Sequence, residues 1–139
     1  MPEVKKILCA VDFSAASLEA YAYAKDIACL KKAYLYVLHV YCLDPNSLQA
    51  GIDERNYALT ELRLEQLIAE SPEKDQISIQ PIMERGNVAR AIVRCAKELQ
   101  ADFLVMGSRG KSGLDKLILG SNAEYALEHC KTPILIIRN

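Results

Sequence analysis

Glycines are concentrated in one short stretch of this chain. Four of its six glycines fall within fourteen residues, directly after an apolar run: they are Gly107, Gly110, Gly113 and Gly120. Glycine permits a positive φ and lets the backbone approach a ligand closely, so Gly107-Ser108-Arg109-Gly110 can turn N–H groups toward a phosphate. The alternative is a surface loop with turn glycines, although loops between a strand and a helix usually have about two to six residues. We expect an anion-binding site here.

A second anion-binding feature follows the glycines. Ser121-Asn122-Ala123-Glu124 has the spacing of a capping box, and the N-terminus of a helix presents N–H groups and the positive end of its dipole. The glycine segment, residues 107–120, carries a local charge of +2, although 17 basic and 18 acidic side chains leave the whole chain at -1. This balance provides no global attraction to nucleic acid or to a membrane, so we expect neither as a partner.

Two common phosphate-binding motifs do not fit the segment. Gly110-Lys111-Ser112 resembles the end of a Walker A loop, but the glycine required five positions earlier is Val105. The glycines also lack the G-x-G start and the first-strand position of a dinucleotide fingerprint.

Other polar residues allow more than one interpretation. Asp12 follows the first apolar run, where its carboxylate either contacts a ribose or Mg²⁺, or caps the next helix. His39 is either a general base or a hydrogen-bonded core residue, and His129 complements the dipole at the end of a helix. No nucleophile with a nearby base and no metal-ligand cluster is visible, so catalysis is not predicted.

The elements that must position these residues alternate along the chain. Apolar runs at 7–11, 34–40, 103–106 and 134–137 predict four strands. Ile77 and Ile79 predict a further strand, which we place at a sheet edge because the nearby Pro81 cannot donate a hydrogen bond in a central strand. Helices are expected after Ser14, over about 54–71, from 86–87 and from about Ser121. Such alternation predicts a doubly wound α/β fold: a five-stranded parallel sheet, with helices on both faces, in a single domain over residues 1–139. Ligands of such sheets bind outside the carboxyl ends of the strands, here after strands one, two and four.

Composition agrees with a globular protein, since 51% of residues are hydrophobic and 25% are charged. No apolar run approaches the ~18 residues of a membrane span, and we expect a cytoplasmic protein. The five cysteines form no C-x-x-C pair and are interpreted as small apolar residues in a reducing compartment.

Residues 53–75 are acidic, which indicates a solvated helix face or, alternatively, a partner surface. Residues Ile134 to Ile137 form an uncharged edge strand that predicts a homodimer, unless a loop covers it.

Gly107, Gly110, Gly120 and Ser121 match the pattern G-x2-G-x9-G-[S/T], and in this the sequence resembles the universal stress protein family. The start Ile7-Leu8-Cys9-Ala10-Val11-Asp12-Phe13-Ser14, the pair His39-Val40 and the segment Thr132-Pro133-Ile134-Leu135-Ile136 also resemble that family. The resemblance covers the whole chain. It implies a Rossmann-like sheet of order 3-2-1-4-5, a dimer through the fifth strand, and ATP as the ligand.

Carried over by position, the resemblance implies particular ligand contacts. Asp12 would face the nucleotide and is the residue through which Mg²⁺ would be held. Val40 would meet adenine through its backbone, and Ala123 replaces a hydroxyl found in some relatives. The full set of expected nucleotide-binding residues is Ala10, Val11, Asp12, Val40, Met106, Gly107, Arg109, Gly110, Gly120, Ser121, Asn122 and Ala123.

Three functions remain open from the sequence. The first is a nucleotide-binding regulatory protein of the stress response that acts, as a dimer, on an unknown protein partner. The second is a slow ATP hydrolase or phosphotransfer enzyme in which Asp12 and Arg109 support Mg²⁺ and phosphate. The third is a dimeric adaptor that binds no ligand.

Overall fold

Strands and helices alternate along the chain, as the sequence predicts. The computed structural model describes residues 3–42, 50–109 and 119–138. Within these ranges the elements are β1 (Lys6–Ala10), α1 (Ala15–Lys31), β2 (Tyr34–Tyr41), α2 (Ala50–Ala69), β3 (Ile79–Arg85), α3 (Val88–Leu99), β4 (Phe103–Gly107), α4 (Ser121–His129) and β5 (Ile134–Ile137). All pairings are parallel and the order is β3-β2-β1-β4-β5, which confirms the predicted fold class and strand order.

The sheet is buried on both faces at its centre. Ile7, Leu8 and Cys9 of β1 are fully buried, because side chains alternate between faces and helices cover both. α1 and α2 pack with Ile7 and Cys9 on one face, whereas α3 and α4 pack with Leu8 on the other. Burial raises the pKa of Cys9 to about 12 and that of Cys95 to about 11, as expected of thiols in an apolar core.

Side-chain caps determine where two of the helices begin. The Ser14 side chain accepts a hydrogen bond from Ser17 N at 3.2 Å, and the Asn87 side chain accepts one from Arg90 N at 3.0 Å. These bonds satisfy N–H groups that have no acceptor within the helix. α1 and α3 both start at the carboxyl edge of the sheet, where a ligand is expected.

Three predictions from the sequence need correction. α2 begins at Ala50 rather than near residue 54, and a 3₁₀ turn, Pro72–Asp75, follows it. β3 begins at Ile79 rather than Ile77 and continues to Arg85, although it lies at the predicted edge and contains Pro81. The acidic stretch is also not uniformly solvated. Asp53 is buried, and its carboxylate accepts a hydrogen bond from Tyr41 Oη and lies 3.7 Å from Arg85.

No helix in the described parts of the chain is long and apolar enough to cross a membrane.

The amino ends of β1 and β4 are joined by one carboxylate. Asp102 Oδ2 accepts hydrogen bonds from Lys5 N at 2.8 Å and from Lys6 N at 2.9 Å. These two backbone donors hold the pKa of Asp102 below its usual value, since they stabilise the ionised form. The carboxylate therefore helps to fix the register of the two central strands.

We predict that Asp102→Ala lowers the free energy of unfolding by about 1–2 kcal/mol at neutral pH, because two charge-assisted hydrogen bonds are lost. Because the pKa of Asp102 is lower in the folded than in the unfolded state, its ionised carboxylate stabilises the fold at pH values above the unfolded-state pKa of about 4. This stabilisation is lost as the pH falls through the folded-state pKa. Urea denaturation at pH 7 and near pH 2.5 measures the difference between wild type and variant, which should shrink in acid. Asp26→Ala, on the exposed side of α1, is the control. An equal difference at both pH values would contradict the assignment.

Candidate functional site

A cavity of about 380 Å³ opens at the carboxyl ends of β1, β2 and β4. Its volume lies within the range of small-molecule sites, about 300–1,000 Å³. The lining residues come from all three strand ends and from the first turns of α1, α3 and α4: Ala10, Val11, Asp12, Ser17, Leu38, Val40, Val88, Ile92, Met106, Gly107, Ser108, Arg109, Gly120, Ser121, Asn122 and Ala123. This is the point at which the strand order reverses, between β1 and β4, and where ligands of doubly wound sheets bind.

The structure brings the predicted site residues together in this cavity. Every described member of the predicted set lines it, from Ala10 at the end of β1 to Ala123 in α4. Gly110, the remaining member, lies outside the described residues. Residues far apart in sequence thus meet because the carboxyl ends of parallel strands share one edge.

Both histidines lie away from this cavity. His39 belongs to the face of β2 that α1 and α2 cover, and its Nδ1 donates a hydrogen bond to Val11 O at 2.8 Å. His129 Nδ1 donates to Tyr125 O at 2.9 Å, at the end of α4. Neither lines the cavity, so the general-base interpretation of His39 is not supported.

Sequence reasoning missed part of the apolar wall. Leu38 of β2 and Val88 and Ile92 of α3 line the cavity. The apolar spacing of these residues in the sequence predicts core positions, and Leu38 and Ile92 are indeed almost fully buried. No sequence signal therefore distinguishes a residue of the cavity wall from a residue of the core. Ser17 is also a buried lining residue that the sequence did not indicate, whereas Ser108, which is buried as well, belongs to the predicted glycine segment.

Gly107 is required by a close approach of β4 to α1. A Cβ at this position would lie 3.0 Å from Ala16 Cβ, 3.1 Å from Ala16 C and 3.2 Å from Ser17 N. These distances leave no room for a methyl group without a shift of the α1 backbone. The glycine therefore brings the end of β4 and the start of α1 together beside the cavity.

Backbone hydrogen bonds hold the start of α4 in place. Ser108 N donates to Ile137 O at 2.8 Å, and Ser108 O accepts from Gly120 N at 2.6 Å. Gly120, with an extended backbone, is the N-cap of α4, and Glu124 N donates to its carbonyl at 3.0 Å. The predicted capping box is wrong: α4 starts one residue earlier than that motif requires, so Ser121 is already inside the first turn.

Asp12 lies in a turn that connects β1 to α1. Its Oδ1 accepts a hydrogen bond from Ser14 N at 2.9 Å, and its own N–H donates to Ser17 Oγ at 3.1 Å. The N-cap of α1 is Ser14, so the interpretation of Asp12 as the cap of that helix is wrong. Asp12 supports the turn that precedes the helix, and it lines the cavity. Arg109, which follows β4, supplies positive charge to the same cavity.

Comparison with known proteins settles the relationship. The model of the universal stress protein family matches residues 3–138. This chain belongs to the universal stress protein family. The sequence is 32% identical to universal stress protein MJ0531 of Methanocaldococcus jannaschii over 139 residues, which cover 96% of this chain and 82% of that protein.

Solved structures share the same fold. A structure of protein MJ0577 from the same organism has a TM-score of 0.84 and 28% identity, and the alignment covers 99% of this chain and 98% of that one. A universal stress protein solved in complex with cAMP has a TM-score of 0.74 and 24% identity, with 99% coverage of both chains.

Gly107→Ala should lower the free energy of unfolding by about 1–3 kcal/mol, since its methyl group would be forced against the α1 backbone. Gly51→Ala is the matched control: Gly51 lies in α2 with open space around it, and alanine there should be neutral or should add up to about 1 kcal/mol. Chemical denaturation of both variants measures the contrast. Equal effects would show that the contact at Gly107 is not tight.

Proposed function

We propose that this universal stress protein binds an adenine nucleotide in the cavity, with ATP as the physiological ligand, and acts as a nucleotide-dependent regulatory protein in stress. One observation supports this most directly. The apolar wall, the turn with Asp12 and the first turn of α4 all meet in a single cavity at the switch point of the sheet.

The apolar part of the cavity suits a purine ring. Leu38, Val40, Val88, Ile92 and Met106 supply aliphatic and thioether groups from β2, α3 and β4. A planar base gains free energy when such a wall removes it from water. The backbone of Val40, near the end of β2, would recognise the edge of the base.

The polar part of the cavity suits ribose and phosphates. Gly120, Ser121, Asn122 and Ala123 occupy the N-terminus of α4, where first-turn N–H groups have no acceptor within the helix. Arg109 adds a permanent positive charge. The start of α4 and this guanidinium complement a phosphate chain, whereas Asp12 suits ribose hydroxyls or a cation.

Mg²⁺ fits this arrangement as a companion of the nucleotide. Within the described parts of the chain, no group of three or more His, Cys, Asp or Glu side chains could hold a metal ion. Mg²⁺ commonly needs only one or two carboxylates together with phosphates and water. Asp12 is the residue that would supply the carboxylate, and the nucleotide would supply the phosphates.

The relative in complex with cAMP supplies the ligand class to test. That structure shares the fold at 24% identity, so the proposal for this chain depends on its own cavity residues. cAMP and ATP share adenine and ribose but differ in their phosphates. A comparison of the two ligands therefore measures what the polar end of the cavity contributes.

Calorimetric titration with ATP, ADP, AMP, cAMP and GTP tests the proposal. We expect wild type to prefer adenine over guanine, and Gly120→Val to weaken ATP binding at least about tenfold, or about 1.4 kcal/mol, because the side chain enters the phosphate end. Gly51→Ala, on the exposed side of α2, should bind like wild type. Unchanged ATP affinity in Gly120→Val would refute the site, and no binding of any nucleotide would favour a ligand-free adaptor.

A second function is favoured by one observation. Asp12 and Arg109 line the same cavity, as a slow hydrolase or phosphotransfer enzyme would require. Turnover above a few per minute that is lost in Asp12→Ala would establish this activity. ATP binding without such turnover would support the regulatory protein.

We also propose that two copies pair through β5. The β5 strand lies at the sheet edge, and Ile134, Leu135 and Ile136 are only partly buried. The carbonyls of Pro133 and Ile137 accept hydrogen bonds from Leu104 N in β4 and from Ser108 N directly after it. Because backbone groups alternate in direction along a strand, the N–H and C=O of Ile136 point away from β4. An antiparallel partner strand would satisfy them.

Sedimentation velocity should therefore give about twice the chain mass of 15.5 kDa. Ile136→Pro removes an outward N–H without removing a hydrogen bond to β4, so this variant should become monomeric and stay folded. A monomeric wild type, or a variant that remains dimeric, would contradict pairing through this edge.

A further inference from the structure

Phe13 has a backbone conformation that large side chains rarely adopt. Its φ is +64°, in the left-handed region. The other non-glycine residues with positive φ in the described parts of the chain, Lys32 and Gln100, are the C-caps of α1 and α3, where this conformation is common. Phe13 is at no helix end of that kind. It lies between Asp12 and the N-cap Ser14, where a strained residue must be held by its surroundings.

Two neighbouring elements hold the Phe13 ring. The guanidinium carbon of Arg63, on α2, lies 4.1 Å from the ring centroid. The imidazole of His39, on β2, lies 5.1 Å away and is tilted by 39°. The ring also packs against the apolar cluster that α1 and α2 form. Cation–π and aromatic contacts thus fix the side chain on the face opposite α3.

The backbone on either side of Phe13 is fixed as well. His39 Nδ1 donates to Val11 O at 2.8 Å, Asp12 N donates to Ser17 Oγ at 3.1 Å, and Asp12 Oδ1 accepts from Ser14 N at 2.9 Å. Asp12 lines the cavity, whereas Phe13 does not. The turn therefore places two consecutive residues in different surroundings: the Phe13 ring packs toward α2, and Asp12 lines the cavity.

We propose that Phe13 is a positioning residue of the nucleotide site. Its ring, held by Arg63 and His39, keeps residues 11–14 in the left-handed turn that presents Asp12 to the cavity. This inference depends on the proposed nucleotide-binding function, because Asp12 is the group that would contact the ligand. It also means that α2 supports a cavity to which it contributes no described lining residue.

The variant Phe13→Gly distinguishes an effect on the position of Asp12 from an effect on the stability of the fold. Phe13→Gly removes the ring but also relieves the backbone strain, so the two effects on stability oppose each other. The relieved turn is no longer restricted to one conformation. We therefore expect ATP affinity to fall about fivefold to tenfold, while the melting temperature changes little. Phe13→Tyr retains the ring and should bind like wild type.

A double-mutant cycle tests whether Phe13 acts through Asp12. Phe13→Gly should weaken ATP binding in the wild-type background but by less than about twofold in an Asp12→Asn background. Equal losses in both backgrounds would overturn the proposal, since a general structural effect is additive. Arg63→Met should reproduce part of the loss, and Arg55→Met, an exposed arginine on the same helix, should not.

Amide hydrogen exchange provides a readout that needs no ligand. In Phe13→Gly the N–H groups of Asp12 and Ser14 should exchange faster, while those of β1 keep their protection. Unchanged exchange would overturn the positioning role even if nucleotide binds. If wild type binds no nucleotide, the proposed function fails, and the exchange data still decide whether Phe13 holds the turn.

Discussion

The position of β1 between β2 and β4 is the constraint on which the other features depend. Its side chains Ile7, Leu8 and Cys9 are fully buried, so helices must cover both faces of the sheet. Right-handed crossovers then place α1 and α2 on one face and, after the chain returns past β1, α3 and α4 on the other. The chain leaves the carboxyl end of β1 toward one face of the sheet and the carboxyl end of β4 toward the other, and the cavity forms between these two strand ends.

Backbone contacts, more than side-chain networks, shape this cavity. The absence of a side chain at Gly107 lets β4 approach α1, and Ser108 links the end of β5 to Gly120 at the start of α4. The first turn of α4 is therefore attached to the sheet edge that we propose as the dimer interface. A ligand that engages this turn would contact an element that Ser108 connects to β5, so the proposed dimer would have a structural route to sense occupancy.

Periodicity in the sequence was enough to predict the elements, whereas strand order required the resemblance to a family. Apolar runs such as Ile7 to Val11 predict buried strands because both faces of a central strand are apolar. The start of α2 could not be predicted, since Asp53 is polar in sequence and is buried by its contacts with Tyr41 and Arg85. The wall residues Leu38 and Ile92 were missed because core and cavity wall impose the same apolar pattern. The role of Phe13 could not be predicted from the sequence, because a phenylalanine gives no indication of a positive φ at this position.

Mass spectrometry of the small molecule released on denaturing the freshly purified protein is the most direct test of nucleotide binding in the cavity. We expect an adenine nucleotide in near-stoichiometric amount, or its tight uptake by the emptied protein. If nothing is released and millimolar ATP does not bind, the cavity is not a nucleotide site, and the function must be sought at the protein surface.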